Sequence, residues 1–305
     1  MGVKLYKEPK LEKPDLIVGW PGIGNIGIIV VDTLRGQLQA EELGEIEPWD
    51  FFYPRKVSIK NSLITDLEFP TNKFYYQRVE GKDLILFVGE QQPSEGEGSY
   101  SKGEKAYHMA NLVLDVGLQF GCQRVYTSGA CVSIIHHQMK PRVCAVASSE
   151  VLIKEVKKYQ NTILLSEIGG RKGEGIITGL NGLLLAVARK RGLESICLMG
   201  EIPDWLSQVP QPYPKASKSV LEVLARILGV SIDFSVLDYM TAQIEEIIEK
   251  IYAKFPSRVK EKYDQRKFVT QTEPKAISEE DAKWIKGHID ELFKKGDKEG
   301  GEKPI

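Results

Sequence analysis

The 305-residue chain has no excess of either charge sign: 41 Lys and Arg stand against 42 Asp and Glu. Without a basic surplus, neither nucleic acid nor an anionic membrane surface is an expected partner. Cysteine is scarce. Cys122, Cys131, Cys144 and Cys197 lie far apart with no C-x-x-C pair, which argues against a disulfide framework and for reduced, buried thiols in a cytoplasmic protein. Long apolar runs are missing too. The most apolar stretch, residues 176–188, is too short for a bilayer and is interrupted by Thr178, Asn181 and two glycines. The N-terminus, with Lys4, Lys7, Glu8 and Lys10, lacks the apolar core of a signal peptide. No internal repeat occurs. Ser128 sits in Thr127-Ser128-Gly129-Ala130, without the G-x-S-x-G elbow that an α/β-hydrolase needs.

What is present is ordinary globular composition, 42% hydrophobic and 27% charged, in a chain long enough for one large α/β domain or two modest ones. Its centre is the stretch from Leu16 to Gly27. A short apolar run, residues 16–19, ends in a glycine-rich turn, and a helix over 24–35 follows. Glycines at such a junction let backbone approach closely, and the first helical amides are free to meet an anion. Residues 41–48 read as an irregular acidic piece. Residues 57–59, 62–69 and 73–79 read as a short antiparallel meander. Continuous apolar runs at 83–88, 124–128, 143–147, 162–165 and 195–199 predict buried strands, alternating with helices ending near Gly121 and over 150–159 and 176–191.

This alternation predicts an α/β fold with a mainly parallel central sheet and helices on both faces, occupying residues 1–204. Residues 205–255 carry a proline-rich loop and then a helical pair, 217–228 and 236–255. The second helix is expected to begin with a capping box formed by Ser235 and Asp238. Its stripe of Met240, Ile244, Ile247, Ile248, Ile251 and Phe255 is too wide to stay in water, so an interface with a neighbouring subunit is expected there. Residues 256–305 form a charged tail with one short helix capped by Ser278.

Several motifs carry chemistry at face value. Gly22, Gly24 and Gly27 spell G-x-G-x-x-G, yet the acidic residue that should hold a ribose at the end of the next strand falls in Gln39-Ala40-Glu41-Glu42, where no convincing strand is read. The turn is expected to leave little room for a Cβ at Gly22 or Gly24. Cys131, His136, His137 and Cys144 lie within a short span, but their spacing does not match paired zinc ligands. They read as core thiols and loop histidines, and neither a metal nor a cofactor is expected. Glu90 leads a loop that also holds Gln91, Glu95 and Glu97, and Glu201 follows the last strand. Carboxylates at strand ends can form an acid/base pair, hold a metal or merely cap helices. Arg171-Lys172-Gly173 makes a basic loop.

Four of these stretches together resemble one family: Gly19-Trp20-Pro21-Gly22-Ile23-Gly24-Asn25-Ile26-Gly27, Gly89-Glu90-Gln91-Gln92-Pro93, Gly175-Ile176-Ile177-Thr178-Gly179-Leu180-Asn181-Gly182, and Leu198-Met199-Gly200-Glu201-Ile202-Pro203. In this order they are similar to the proteasome assembly chaperone 2 family, over residues 16–255. Archaeal and bacterial members often carry ATP-grasp or carboxylate-amine ligase labels. The resemblance implies a sandwich related to the nucleoside phosphorylase fold, a homo-oligomer such as a trimer or larger ring, and proteasome α subunits as partners. Members that dock on α-rings can end in hydrophobic-Tyr-any; this sequence ends Lys303-Pro304-Ile305, so docking by that tail is not expected.

Two functional readings follow. In the first, the protein is a non-enzymatic assembly chaperone or scaffold, with interface residues Met240, Ile244, Ile247 and Ile251. In the second, it is a small-ligand binder or an enzyme, phosphorylase-like, hydrolase-like or a ligase, using the crevice at the glycine turn. The candidate wall there is Pro21, Gly22, Gly24, Asn25, Gly27, Glu90, Ser128, Gly179, Asn181 and Glu201. A binder needs a concave pocket with converging polar groups, whereas a scaffold needs an exposed apolar patch.

Overall fold

The computed structural model describes residues 2–79, 81–93, 103–168, 174–267 and 279–294. In chain order the elements are β1 (Val3–Leu5), β2 (Asp15–Gly19), α1 (Ile26–Gln37), β3 (Glu41–Ile46), β4 (Lys56–Lys60), β5 (Leu63–Glu68), β6 (Asn72–Val79) and β7 (Lys82–Gly89). They continue with α2 (Glu104–Gln119), β8 (Arg124–Ser133), β9 (Val143–Ala147), α3 (Glu150–Val156), β10 (Thr162–Leu164), α4 (Gly179–Lys190) and β11 (Glu194–Pro203). Four helices close the chain: α5 (Pro214–Leu228), α6 (Ser235–Ala253), α7 (Ser257–Asp264) and α8 (Glu279–Lys294).

Nine strands form one sheet in the order β1-β3-β6-β7-β2-β8-β11-β9-β10. Its centre, β7-β2-β8-β11, is parallel, as the continuous apolar runs require. On the flanks β1, β3, β6 and β7 pair antiparallel, β11 and β9 pair antiparallel, and β9 and β10 pair parallel. The sheet is therefore mixed rather than mainly parallel, because antiparallel strands join the parallel centre on both sides.

Alternation along the central strands separates two cores. Ile17, Leu84 and Leu86 pack with α1, α3, α5 and α6, whereas Leu16, Val18, Ile85 and Phe87 pack with α2 and α4. Helix α5 belongs to the first layer, lying against α1, β9 and β11. Within that layer α5 also covers α6: Leu237, Ile248, Ile251 and Tyr252 are buried, and Met240 and Ile244 are half-buried on the same core. A neighbouring subunit is thus not needed to bury the α6 stripe. Of the four residues named for an interface only Ile247 stays exposed, at 39%.

Three local expectations change. Glu41–Ile46 is a strand, held between β1 and β6 despite its acidic sequence. The meander divides: β4 and β5 make a separate hairpin, while β6 enters the large sheet. No capping box starts α6; the Ser235 hydroxyl donates to Asp233, and Asp238 pairs with Lys218. Ser278, Glu95, Glu97 and the Arg171-Lys172-Gly173 loop lie outside the described residues.

A crevice between two helix starts

β2 and β8 run side by side at the middle of the sheet, and α1 and α4 cover opposite faces. Both helix N-termini reach the same rim at the carboxyl ends of the parallel strands, where open α/β sheets place their ligand crevices. A crevice of about 240 Å³ lies there. Of the predicted residues, Gly22, Gly27, Ser128 and Asn181 line it, together with Trp20, Gln92, Gly129, Ile177, Thr178 and Met199.

Glycine makes the close approach of these elements feasible at two positions. A Cβ at Gly27 would stand 2.4 Å from the Ser128 carbonyl oxygen, so only glycine lets α1 start directly on β8. Gly24 has φ +61 and backs onto Tyr213 and Ile202, behind the crevice rather than in it. Gly22 is different: its backbone is extended, and nothing lies within 4 Å of where a Cβ would sit. The expectation of a cramped turn holds at Gly24 and fails at Gly22, which faces the open space.

Gln92 is the residue that sequence reasoning passed over. Its Nε2 donates to the Pro21 carbonyl at 2.7 Å, and its Oε1 accepts from the Leu180 amide at 3.1 Å, clasping the glycine turn to the start of α4. Its place in Gly89-Glu90-Gln91-Gln92-Pro93 was the available signal. Asn25 sits in the left-handed region with φ 51, its N–H donating to the Gly22 carbonyl. Gly179, at φ +70, leaves the space taken by Gln92. The Asn181 Nδ2 donates to the Ser128 carbonyl at 2.8 Å.

The two carboxylates do not join this group. Glu90 Oε2 accepts from the Thr71 amide and from Arg55. Glu201, 1% exposed, lies inside β11 rather than after it, where it accepts from the Ser133 hydroxyl, the Arg142 amide and the Arg142 guanidinium. Neither faces the other across the crevice, so no acid/base pair forms. No charged side chain is among the described residues lining the crevice, and no histidine stands beside Ser128 to activate it. Cys144 is pushed well up by its hydrogen bond with Cys131 and by burial, and burial pushes Cys197 up to about 12. Thiols held protonated in this way are not nucleophiles.

The dinucleotide reading fails on topology. Its ribose acid belongs on the strand next to β2, whereas β6 and β7 separate β3 from β2. Glu41 and Glu42 are occupied instead by Lys7 and Lys73. Among the described residues no three His, Cys, Asp or Glu side chains gather in a cluster able to hold a metal.

His136 and His137 lie in the loop after β8, as expected, and both are buried there. They pack on each other and on Tyr252, and His137 also meets Trp205. His136 Nδ1 accepts from the Gln138 amide, which leaves the proton of a neutral ring on Nε2, 3.3 Å from Asp264. Burial, then the charge that His137 and Lys267 would present, lowers His136 to about 4, against the pull of Asp264. A base whose folded value lies below its unfolded one, about 6.5, takes up protons on unfolding between those two pH values. Stability should therefore fall as pH drops from about 6.5 towards 4. Melting curves across that range should show the loss, and His136→Gln should flatten it; an unchanged slope in the variant would assign the loss to other groups.

Residues 16–252 match the family model described as PAC2 family. A Methanocaldococcus jannaschii protein, uncharacterized protein MJ1210, is 31% identical over 276 residues, covering 90% of this chain and 93% of that one. The crystal structure of Pyrococcus furiosus PbaB, described as an archaeal proteasome activator, is 30% identical with a TM-score of 0.68, covering 82% of this chain and 97% of its own. Pyrococcus furiosus PbaA, described as an archaeal homolog of proteasome-assembly chaperone, shares the fold at 22% identity and a TM-score of 0.59, covering 87% and 98%.

Proposed function

The chain belongs to the PAC2 family, and from that premise we propose that it is a non-enzymatic, cytoplasmic assembly chaperone or scaffold that self-assembles and serves proteasome α subunits. The proteasome partner is carried over from the descriptions of PbaB and PbaA. The relation of its sheet to nucleoside phosphorylases belongs to the same proposal and rests on the sequence resemblance. The engagement of Glu90 and Glu201 in ion pairs supports a non-catalytic reading.

One observation carries the scaffold role: the β4–β5 hairpin. It is exposed along both strands, and its cross-strand partners put Val57 beside Leu67 and Ile59 beside Ile64 on one face. Ile59 and Ile64 are 67% and 76% exposed. A two-stranded hairpin is marginal in water by itself, and an apolar face of this kind marks an interaction surface. The occupant is a second copy of the chain. β4 carries Lys56 and Lys60 while β5 carries Asp66 and Glu68, so one copy's β4 complements the next copy's β5. Head-to-tail contacts of this kind form a ring when the rotation between copies closes, and a trimer or larger ring is the assembly proposed.

Light scattering should give a multimer at micromolar concentration, growing in mass when purified archaeal proteasome α subunits are added. Ile59→Lys combined with Ile64→Lys should yield a folded monomer, with native circular dichroism and a cooperative melt, because neither side chain packs in the core. A monomeric wild type would overturn self-assembly. A double variant of unchanged mass would overturn the hairpin as its site, and no added mass with α subunits would overturn the partner.

A further inference from the structure

The crevice between α1 and α4 has features that a scaffold does not require. Ser128 is 1% exposed, lines the space, and its hydroxyl has no hydrogen-bond partner. Asn181 Oδ1 is likewise buried and unpartnered, with its orientation fixed because Nδ2 is committed to the Ser128 carbonyl. Buried polar groups are ordinarily satisfied, so two orphans on residues that line one space call for a third party.

The surrounding backbone says what kind. α1 and α4 each run twelve residues, and neither is capped by its own N-cap residue: Asn25 and Thr178 make no capping hydrogen bond, and of the first amides of α4 only that of Leu180 is taken, by Gln92 Oε1. The first turn of a helix presents amides that lack intrahelical acceptors, together with the positive end of the helix dipole. Gly22 and Gly27 at one start, and Thr178 and Asn181 at the other, border the same 240 Å³. With no carboxylate among the described lining residues, nothing there repels negative charge. The Ser128 hydroxyl can donate to the same anion. Asn181 Oδ1 can only accept, which requires a donor next to the anionic group.

We infer that this crevice binds a small oxyanion, carboxylate or phosphate, that carries an adjacent hydroxyl. The amides left free at the starts of α1 and α4, that of Leu180 excepted, and the Ser128 hydroxyl hold the anionic oxygens, and Asn181 Oδ1 takes the hydroxyl. Trp20, Ile177 and Met199 supply the apolar wall. Binding here needs no catalysis and no self-assembly, so it stands or falls apart from the scaffold role.

Glycerol 3-phosphate, glycerate and glycerol probe the two anionic groups and the neutral control. Titration calorimetry and melting curves on the full chain should show binding by at least one anion and none by glycerol. A preference between the two anions identifies the group. Gly22→Leu should abolish binding while leaving the unliganded melting temperature in place, since its side chain enters open space from extended backbone. Ser128→Ala should weaken binding tenfold or more without loss of stability, because it removes a hydroxyl that satisfies nothing in the empty protein. Failure of both anions to bind at millimolar concentration would overturn the inference. So would equal binding of glycerol, or wild-type affinity in folded Gly22→Leu.

Discussion

Arg142→Ala should destabilise the protein by about 2 kcal/mol, below the range for breaking a fully buried ion pair, because the Arg142 side chain is half-exposed while Glu201 is buried. The cost arises on the other side of the pair. Glu201 is buried in β11, and the guanidinium supplies two of its hydrogen bonds, each at 2.9 Å. Removing Arg142 leaves the Ser133 hydroxyl and one amide to stabilise a full charge. Glu201→Gln in the same background should recover part of the loss, because the neutral amide needs no counter-ion. A double-mutant cycle by denaturant unfolding measures this coupling. If Arg142→Ala costs less than about 1 kcal/mol, Glu201 is not held as a structural anion, and its candidacy as a working acid returns.

The second large effect separates two glycines five residues apart. Gly27→Ala should cost about 3 kcal/mol, since its Cβ meets β8 backbone that cannot move without disturbing the centre of the sheet. Gly22→Ala should change stability by no more than about 0.5 kcal/mol, as for a surface substitution. Gly24→Ala should fall between them, with the left-handed backbone and the Tyr213 contact both opposing a side chain. Equal losses at 22 and 27 would show that the turn acts as one rigid unit, contrary to the geometry.

The parallel centre of this fold was legible because strands buried on both faces carry continuous apolar runs, as β2 and β7 do once past the Asp15–Lys82 pair and Asp83 at their starts. Strand β3 was not, because Glu41-Glu42-Leu43-Gly44-Glu45-Ile46 has poor strand propensity, and its pairing with β1 and β6 overrides that. The hairpin and β6 share one alternating pattern, yet only β6 enters the sheet; sheet membership is a non-local choice that alternation does not record. Glu201 was misplaced because Gly200 read as a strand stop. In the fold Gly200 continues the strand and lets α5 approach, with Ala216 filling the room its missing side chain leaves. At the crevice, the glycines, Ser128 and Asn181 announced themselves by type and position. Gln92 did not, since its role exists only once Pro21 and Leu180 are brought to it.

The strand order has a consequence for biosynthesis. β2 is synthesised before either of its sheet neighbours, and it is buried along its whole length. Its neighbours are β7 and β8, so its second edge is unfilled until β8 emerges, roughly ten seconds later at ordinary translation rates. β11 then has to slot between β8 and β9, both made before it. A nascent chain of this topology therefore displays an apolar strand edge twice during synthesis, and each exposure is an opportunity for pairing with the wrong strand.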